Sequence, residues 1–162
     1  MNAKDAIKNV VEFCHMVTTM YVQDLEPEDL FVRSVPNTNH IAWQLGHLIA
    51  SDHQMLSELG YTAPDLPENF AAAHTTETAG SDEPASFHTK DEYLALEDQM
   101  KAAALAAIDA TLDADLDKPA PESMRGYAPT VAAVLTMVGT HWLLHAGQFV
   151  PIRRKIGKPP LI

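Results

Sequence analysis

Two histidines four residues apart are the feature of this sequence with the clearest chemical potential. They are His141 and His145, within the segment HWLLH. Residues four apart in a helix are neighbours on one face, so both imidazoles can converge on a single ion. Val134 and Val138 precede them on that face, which predicts that the pair points towards the core. A buried imidazolium is costly, so both rings are expected to be neutral, the form that binds metal.

A third histidine, His47, is predicted to lie in the middle of another helix, on the same face as Trp43. If the two helices are neighbours, three neutral imidazoles form a site with open coordination positions. Three protein ligands plus a water are typical of catalytic zinc sites, whereas structural sites close all four positions. Imidazole suits Zn²⁺, Ni²⁺, Cu²⁺ or Fe²⁺, and the sequence does not choose among them. A zinc-protease site is excluded, because its motif requires a glutamate where this chain has Trp142.

The alternative is a core of hydrogen-bonded histidines without metal, because an HxxxH pair also occurs by chance.

Four long helices must position these residues, and almost no strand is predicted. The apolar periodicity and the capping signals place the helices at about 3–23, 37–59, 89–112 and 129–154. This pattern predicts an all-α fold, a four-helix bundle forming a single domain over residues 1–162. The second helix is expected to be capped by a residue within 37–39 and stopped by Gly60, and Pro151 predicts a kink or break.

Composition narrows the classes of partner. Eleven lysines and arginines stand against 22 aspartates and glutamates, a net charge of −11, which disfavours nucleic acid and anionic membrane surfaces. No apolar run approaches the ~20 residues of a membrane span, and the N-terminus lacks a signal-peptide core. The single cysteine, Cys14, falls on an apolar helix stripe and is expected to be a buried hydrophobe. A cytoplasmic location is the expectation.

Two segments resemble a known family, the DinB-like superfamily of damage-inducible, metal-binding proteins. They are NTNHIAWQLGHLIASDHQML and TVAAVLTMVGTHWLLHAGQFVPIRRKIG. The second has an HxxxH pair, then Gly147-Gln148, then a basic end with a glycine. The first has the Trp-x-x-Gly-His context that carries the family's third ligand. The resemblance implies a DinB-type four-helix bundle whose metal ligands are His47, His141 and His145.

The same resemblance implies a range of activities. Some relatives are similar to thiol-dependent S-transferases that use mycothiol, bacillithiol or glutathione, including a maleylpyruvate isomerase branch. The expectation is therefore a metal-dependent enzyme, a thiol S-transferase or a hydrolase, with one divalent transition metal (Zn²⁺ or Ni²⁺ foremost) and a small-molecule substrate or thiol. The substrate is expected to enter at the bundle end covered by the loop 61–88. The alternatives are a non-catalytic metal-binding or stress-response protein and an interaction module, and relatives suggest a homodimer.

Several polar residues near the site have two interpretations. Gln148, one turn beyond His145, either orients a ligand or faces a partner protein. His40 is a supporting base or, more simply, a helix-start residue, and Trp43 fills core or lines a pocket wall. Asp52 interrupts an apolar stripe and should be paired if it is buried. The remaining histidines have no partner at ligand spacing and are interpreted as surface or loop residues: His15, His53, His74 and His88.

Overall fold

Five α-helices form the structure, a computed structural model that describes residues 1–161. They are α1 (Ala3–Gln23), α2 (Ile41–Glu58), α3 (Phe70–Ala73), α4 (Lys90–Ala110) and α5 (Val131–Lys155). Short 3-10 turns lie at Pro27–Phe31, Pro84–Ser86 and Asp113–Asp115. Within the described residues the only β pairing is an isolated bridge between Pro119 and Thr130. The all-helical class predicted from the sequence is confirmed.

The ends of α2 follow from local hydrogen bonds. His40 is its N-cap, and its ring nitrogen Nδ1 accepts from the backbone N–H of Trp43 at 3.1 Å. The prediction of a cap within 37–39 is therefore wrong by one residue, because the imidazole performs the role normally taken by Asn or Ser. The other end stops as predicted, since Gly60 adopts a φ of +84° and the next residue, Tyr61, donates its N–H to Leu56 O at 2.9 Å.

Helix α5 continues through Pro151, so of the predicted kink or break the break is excluded. A proline removes only one backbone hydrogen bond, and tertiary contacts hold the following turn in place. Arg153 is fully buried there and donates to Tyr21 O at 3.0 Å and to Asp24 Oδ1 at 2.5 Å. It ties α5 to the end of α1.

The four long helices pack in a ring in which α1 and α2 each contact both α4 and α5. Gly139 makes the close approach of α5 to α1 possible, because a Cβ at this position would lie 2.8 Å from Val11 Cα. Apolar side chains fill the space between the helices in two clusters. Helices α2 and α5 are therefore neighbours, as a site shared by His47, His141 and His145 requires.

A layer of polar groups crosses the core between the two clusters. Asp52 is fully buried and accepts from Trp142 Nε1 at 2.6 Å, which confirms that it is paired with another helix. His15 is also fully buried, with Nδ1 3.2 Å from Glu97 Oε1, so its interpretation as a surface residue is wrong. The pattern of apolar and polar residues along α1 did not indicate that His15 would face the Glu97 carboxylate on α4. Cys14 is buried, as predicted.

None of the helices in residues 1–161 is both long enough and apolar enough to cross a membrane.

Candidate metal centre

The structure brings His47, His141 and His145 together between α2 and α5. Each offers one ring nitrogen to a common point, and the three nitrogens lie within 4.8 Å of one another. Their ring centroids are separated by 4.9 Å within the α5 pair and by 5.3 and 5.4 Å from His47 to each member of that pair. Within the described residues, this is the one group of three or more His, Cys, Asp or Glu side chains with such spacing.

Gln44 fixes the orientation of His145. Its amide Nε2 donates to Asn39 O at 2.7 Å, so its Oε1 must face His145 Nδ1, 2.8 Å away. An amide oxygen only accepts, and Nδ1 must therefore carry the proton. The lone pair of His145 is left on Nε2, as a metal ligand requires.

Trp43 holds the ring of His47 in place. The indole stacks on the His47 ring, with centroids 4.9 Å apart and planes 7° from parallel. The same indole donates its Nε1–H to Thr75 O at 3.1 Å, which ties it to the segment that follows α3. Burial lowers the pKa of His47, and the nearby backbone of His74 acts in the opposite direction.

His141 has a buried ring nitrogen, Nδ1, without a hydrogen-bond partner among residues 1–161. A buried polar atom without a partner costs free energy, and a bound ion or water removes that cost. The donor set fits a divalent transition metal, because each of the three imidazoles has a nitrogen free of protein hydrogen bonds.

Burial keeps all three imidazoles neutral. Burial and, secondarily, the neighbouring His141 and His47 lower the pKa of His145 to about 3, and burial together with the neighbouring His47 lowers that of His141 to about 4. Burial also lowers the pKa of His47. Neutral imidazole is the form that coordinates metal, so no proton needs to be displaced at neutral pH.

The polar residues that were predicted to support the site do not all lie beside it. Gln148 is exposed, and the amide that contacts His145 belongs to Gln44 instead. His40 is a helix cap whose other nitrogen, Nε2, lies 3.0 Å from Ser81 O. Sequence reasoning missed Gln44, although its position three residues before His47 places both on one face of α2.

His74 is buried, and its interpretation as a surface or loop residue is wrong. Its Nδ1 lies 2.7 Å from Phe70 O and its Nε2 lies 2.7 Å from Tyr93 Oη, while burial lowers its pKa to about 4. The ring packs on Gly46, where an added Cβ would lie 2.1 Å from it. The glycine before His47 therefore admits the segment that closes over the site.

Two cavities meet at His47. The smaller, here called the methionine pocket, measures about 210 Å³ and is lined by His47, Ser51, Gln54, Met55, Met124, Tyr127, Met137 and His141. The larger, here called the loop cavity, measures about 330 Å³ and is lined by His47, Ala50, Ser51, His53, Gln54, Leu66, Ala71, His74 and Thr75. Both cavities are lined by the same three residues of α2, His47, Ser51 and Gln54.

Comparison with known proteins identifies the family of this chain. No match was found among curated proteins or among solved structures. The sequence profile of the DinB superfamily matches residues 11–149, a span that contains all three histidines and every long helix in whole or in large part. The chain belongs to the DinB superfamily.

Proposed function

We propose that the four long helices form a DinB-type bundle that binds one divalent transition metal, Zn²⁺ or Ni²⁺ foremost, on His47, His141 and His145. The observation that carries the proposal is the convergence of three neutral imidazoles whose nitrogens lie within 4.8 Å of one another. With three protein ligands the metal keeps an open position, as in catalytic rather than structural sites.

The activity that this site supports best is transfer of a thiol to a small electrophile. A divalent metal at such a site would supply Lewis acidity, which lowers the pKa of a bound thiol. The protein's own contribution is to orient the imidazoles through Gln44 and Trp43 and to provide space for reactants. Two cavities that share His47 suit a reaction of two substrates, whereas hydrolysis needs room for one substrate and a water.

A non-catalytic metal-binding role is the alternative, and one observation favours it. The residues that line the two cavities include no Asp, Glu, Lys or Cys, so a general base other than a histidine is absent from these walls. Ser51 and Tyr127 supply hydroxyl groups there. A protein that only stores or buffers metal would need nothing more.

The metal assignment is tested by elemental analysis of untagged protein, with His47→Ala beside wild type. His53→Ala is the matched control, because His53 lies on the same helix but outside the histidine cluster. We expect about one transition metal per chain in wild type and in the control, and a loss of most of it in His47→Ala. Full retention of metal by His47→Ala would overturn the ligand assignment.

The orienting role of Gln44 is tested by metal affinity. Removal of a group that orients a ligand typically weakens metal binding ~10–100-fold. We expect such a loss in Gln44→Leu and no measurable change in Gln148→Ala, since Gln148 is exposed. Competition with a chromophoric chelator measures both. Equal affinities for the two variants would show that the contact between Gln44 and His145 is irrelevant to the site.

Catalysis is tested by a screen of metal-loaded protein with low-molecular-weight thiols and small electrophiles. Turnover that disappears in His141→Ala supports the transferase, and its absence with every thiol supports the metal-storage alternative.

We further propose that the chain forms a homodimer through the outer face of α1 and α5. Four large apolar side chains are exposed on these two adjacent helices: Phe13, Met16, Leu143 and Leu144. Light scattering of wild type and a Phe13→Glu, Leu144→Glu double variant tests this directly. A monomeric mass for wild type would refute it.

A further inference from the structure

The methionine pocket is the cavity that touches two of the three site histidines, His47 and His141. We infer that it binds an uncharged, apolar part of a substrate, of about the size of one aromatic ring with one or two attached atoms. This inference rests on the proposed metal centre, because a reactant must be held beside that centre for the pocket to be part of an active site.

The size of the pocket sets the first limit on the group that it can bind. Its volume is about 210 Å³, whereas an apolar cavity of ~150 Å³ admits benzene. A substituted benzene ring or a short alkyl chain therefore fits, and a larger group must extend through the mouth beside Tyr127, whose side chain is exposed.

The chemistry of the walls sets the second limit. Met55 and Met124 are buried, and Met137 completes the apolar wall. Thioethers are polarizable and make favourable contacts with the edges of aromatic rings. Such a wall favours an aromatic or alkyl group over a sugar or a peptide.

Charge sets the third limit. The lining residues of this pocket include no Arg or Lys. They include no Asp or Glu either, so the proposed metal is the one full charge beside the pocket. A carboxylate of the substrate would therefore be held by the metal, and the part that fills the pocket itself is uncharged.

The outer wall is held in place before any ligand arrives. Ser123 donates its hydroxyl to Glu58 Oε2 on α2, and Gln54 Nε2 donates to Glu58 Oε1 at 2.7 Å. The residue after Ser123 is Met124, so these bonds fix a methionine of the wall against α2. Small-molecule sites are usually pre-formed in this way.

The test uses zinc-loaded protein labelled with ¹³C on its methionine methyl groups, seven in the chain. Benzyl alcohol is the apolar probe, and myo-inositol, a neutral ring that carries only hydroxyl groups, is its polar counterpart. We expect benzyl alcohol to shift the methyl resonances of Met55, Met124 and Met137 but not that of Met16, which lies exposed on α1. myo-Inositol should bind at least tenfold more weakly.

Two variants sharpen the result. Met137→Trp fills the pocket and should abolish the shifts, whereas Met16→Leu should leave them unchanged. If Met137→Trp does not fold, the comparison of the two probes on wild type still tests whether the pocket binds an apolar group.

Metal content, measured on the same samples, separates the two proposals. One metal per chain with no shift of the three methyl groups, or with equal affinity for the two probes, would overturn the pocket assignment alone. Absence of metal after loading would overturn the metal centre and with it the role of the pocket in an active site.

Discussion

Replacement of Asp52 by Asn tests whether the buried polar layer holds a neutral carboxyl group. Asp52 is fully buried, accepts from Trp142 Nε1 at 2.6 Å and has a second oxygen, Oδ1, without a partner. Burial raises its pKa well above the usual range, and the nearby Glu97 carboxylate raises it further, against the lowering effect of the Trp142 hydrogen bond. The protonated acid is therefore the form that the fold favours.

The sign of the pH dependence follows from proton binding. Above pH ~4 the unfolded chain has lost the Asp52 proton while the folded protein retains it, so the wild type loses stability as pH rises. The slope from this group is up to about 1.4 kcal/mol per pH unit, and it ends where the pH passes the raised pKa of the folded state. Asp52→Asn removes this slope and keeps an oxygen for Trp142.

The oxygen that Asp52→Asn keeps for Trp142 takes the place of Oδ2, which is also the oxygen 4.0 Å from His15 Nε2, so the variant leaves the surroundings of His15 unchanged. We therefore expect Asp52→Asn to gain stability relative to wild type steadily from pH 5 upward. Asp52→Leu also removes the slope but leaves the indole N–H without an acceptor, so it should be about 1–3 kcal/mol less stable than Asp52→Asn at every pH.

The assay is urea unfolding of metal-free wild type and variant at several pH values from 5 to 8. Contributions from other groups cancel in the difference between the two proteins. Asp98→Asn, whose side chain is 73 % exposed on α4, is the control that should retain the wild-type slope. A difference between Asp52→Asn and wild type that is constant with pH, or a variant that becomes steadily less stable than wild type as pH rises, would refute the neutral carboxyl group.

Three further outcomes are expected. Gly46→Ala should lower the free energy of unfolding in urea by about 1–3 kcal/mol, since its Cβ would lie 2.1 Å from the His74 ring. Gly147→Ala, at an exposed helical position with nothing near its Cβ, should raise it by up to about 1 kcal/mol. Equal effects of the two substitutions would refute the contact. The Arg153 guanidinium lowers the pKa of Asp24 to about 2, so wild type should lose stability from this pair only as pH falls from ~4 towards 2, and an Asp24→Asn variant with the same acid limb of the stability curve would contradict this. Removal of metal by a chelator should lower the free energy of unfolding by about 2.7 kcal/mol relative to protein with free metal at 100 times its Kd, and an unchanged melting temperature would count against a bound ion.

Much of the secondary structure could be predicted from the sequence, because it depends on local patterns. The prediction of α1 at 3–23 coincides with the helix observed, Ala3–Gln23, since an apolar stripe of period 3.6 lies within the segment itself. The same local rule placed His141 and His145 on one face of α5. The effect of Pro151 could not be predicted in this way, because the tertiary contacts of Arg153 stabilise α5 beyond the proline.

The tertiary structure alone decided which distant residues meet. The contact between Gln44 and His145 joins positions 101 apart in the chain, and no periodicity within either helix specifies it. The burial of His15 and His74 depends likewise on Glu97 and Gly46, which belong to other elements. The sequence by itself determined which helix faces carry imidazoles, because that follows from backbone geometry. The packing of α2 against α5 determined that three of them share one point, because only packing fixes distances between helices.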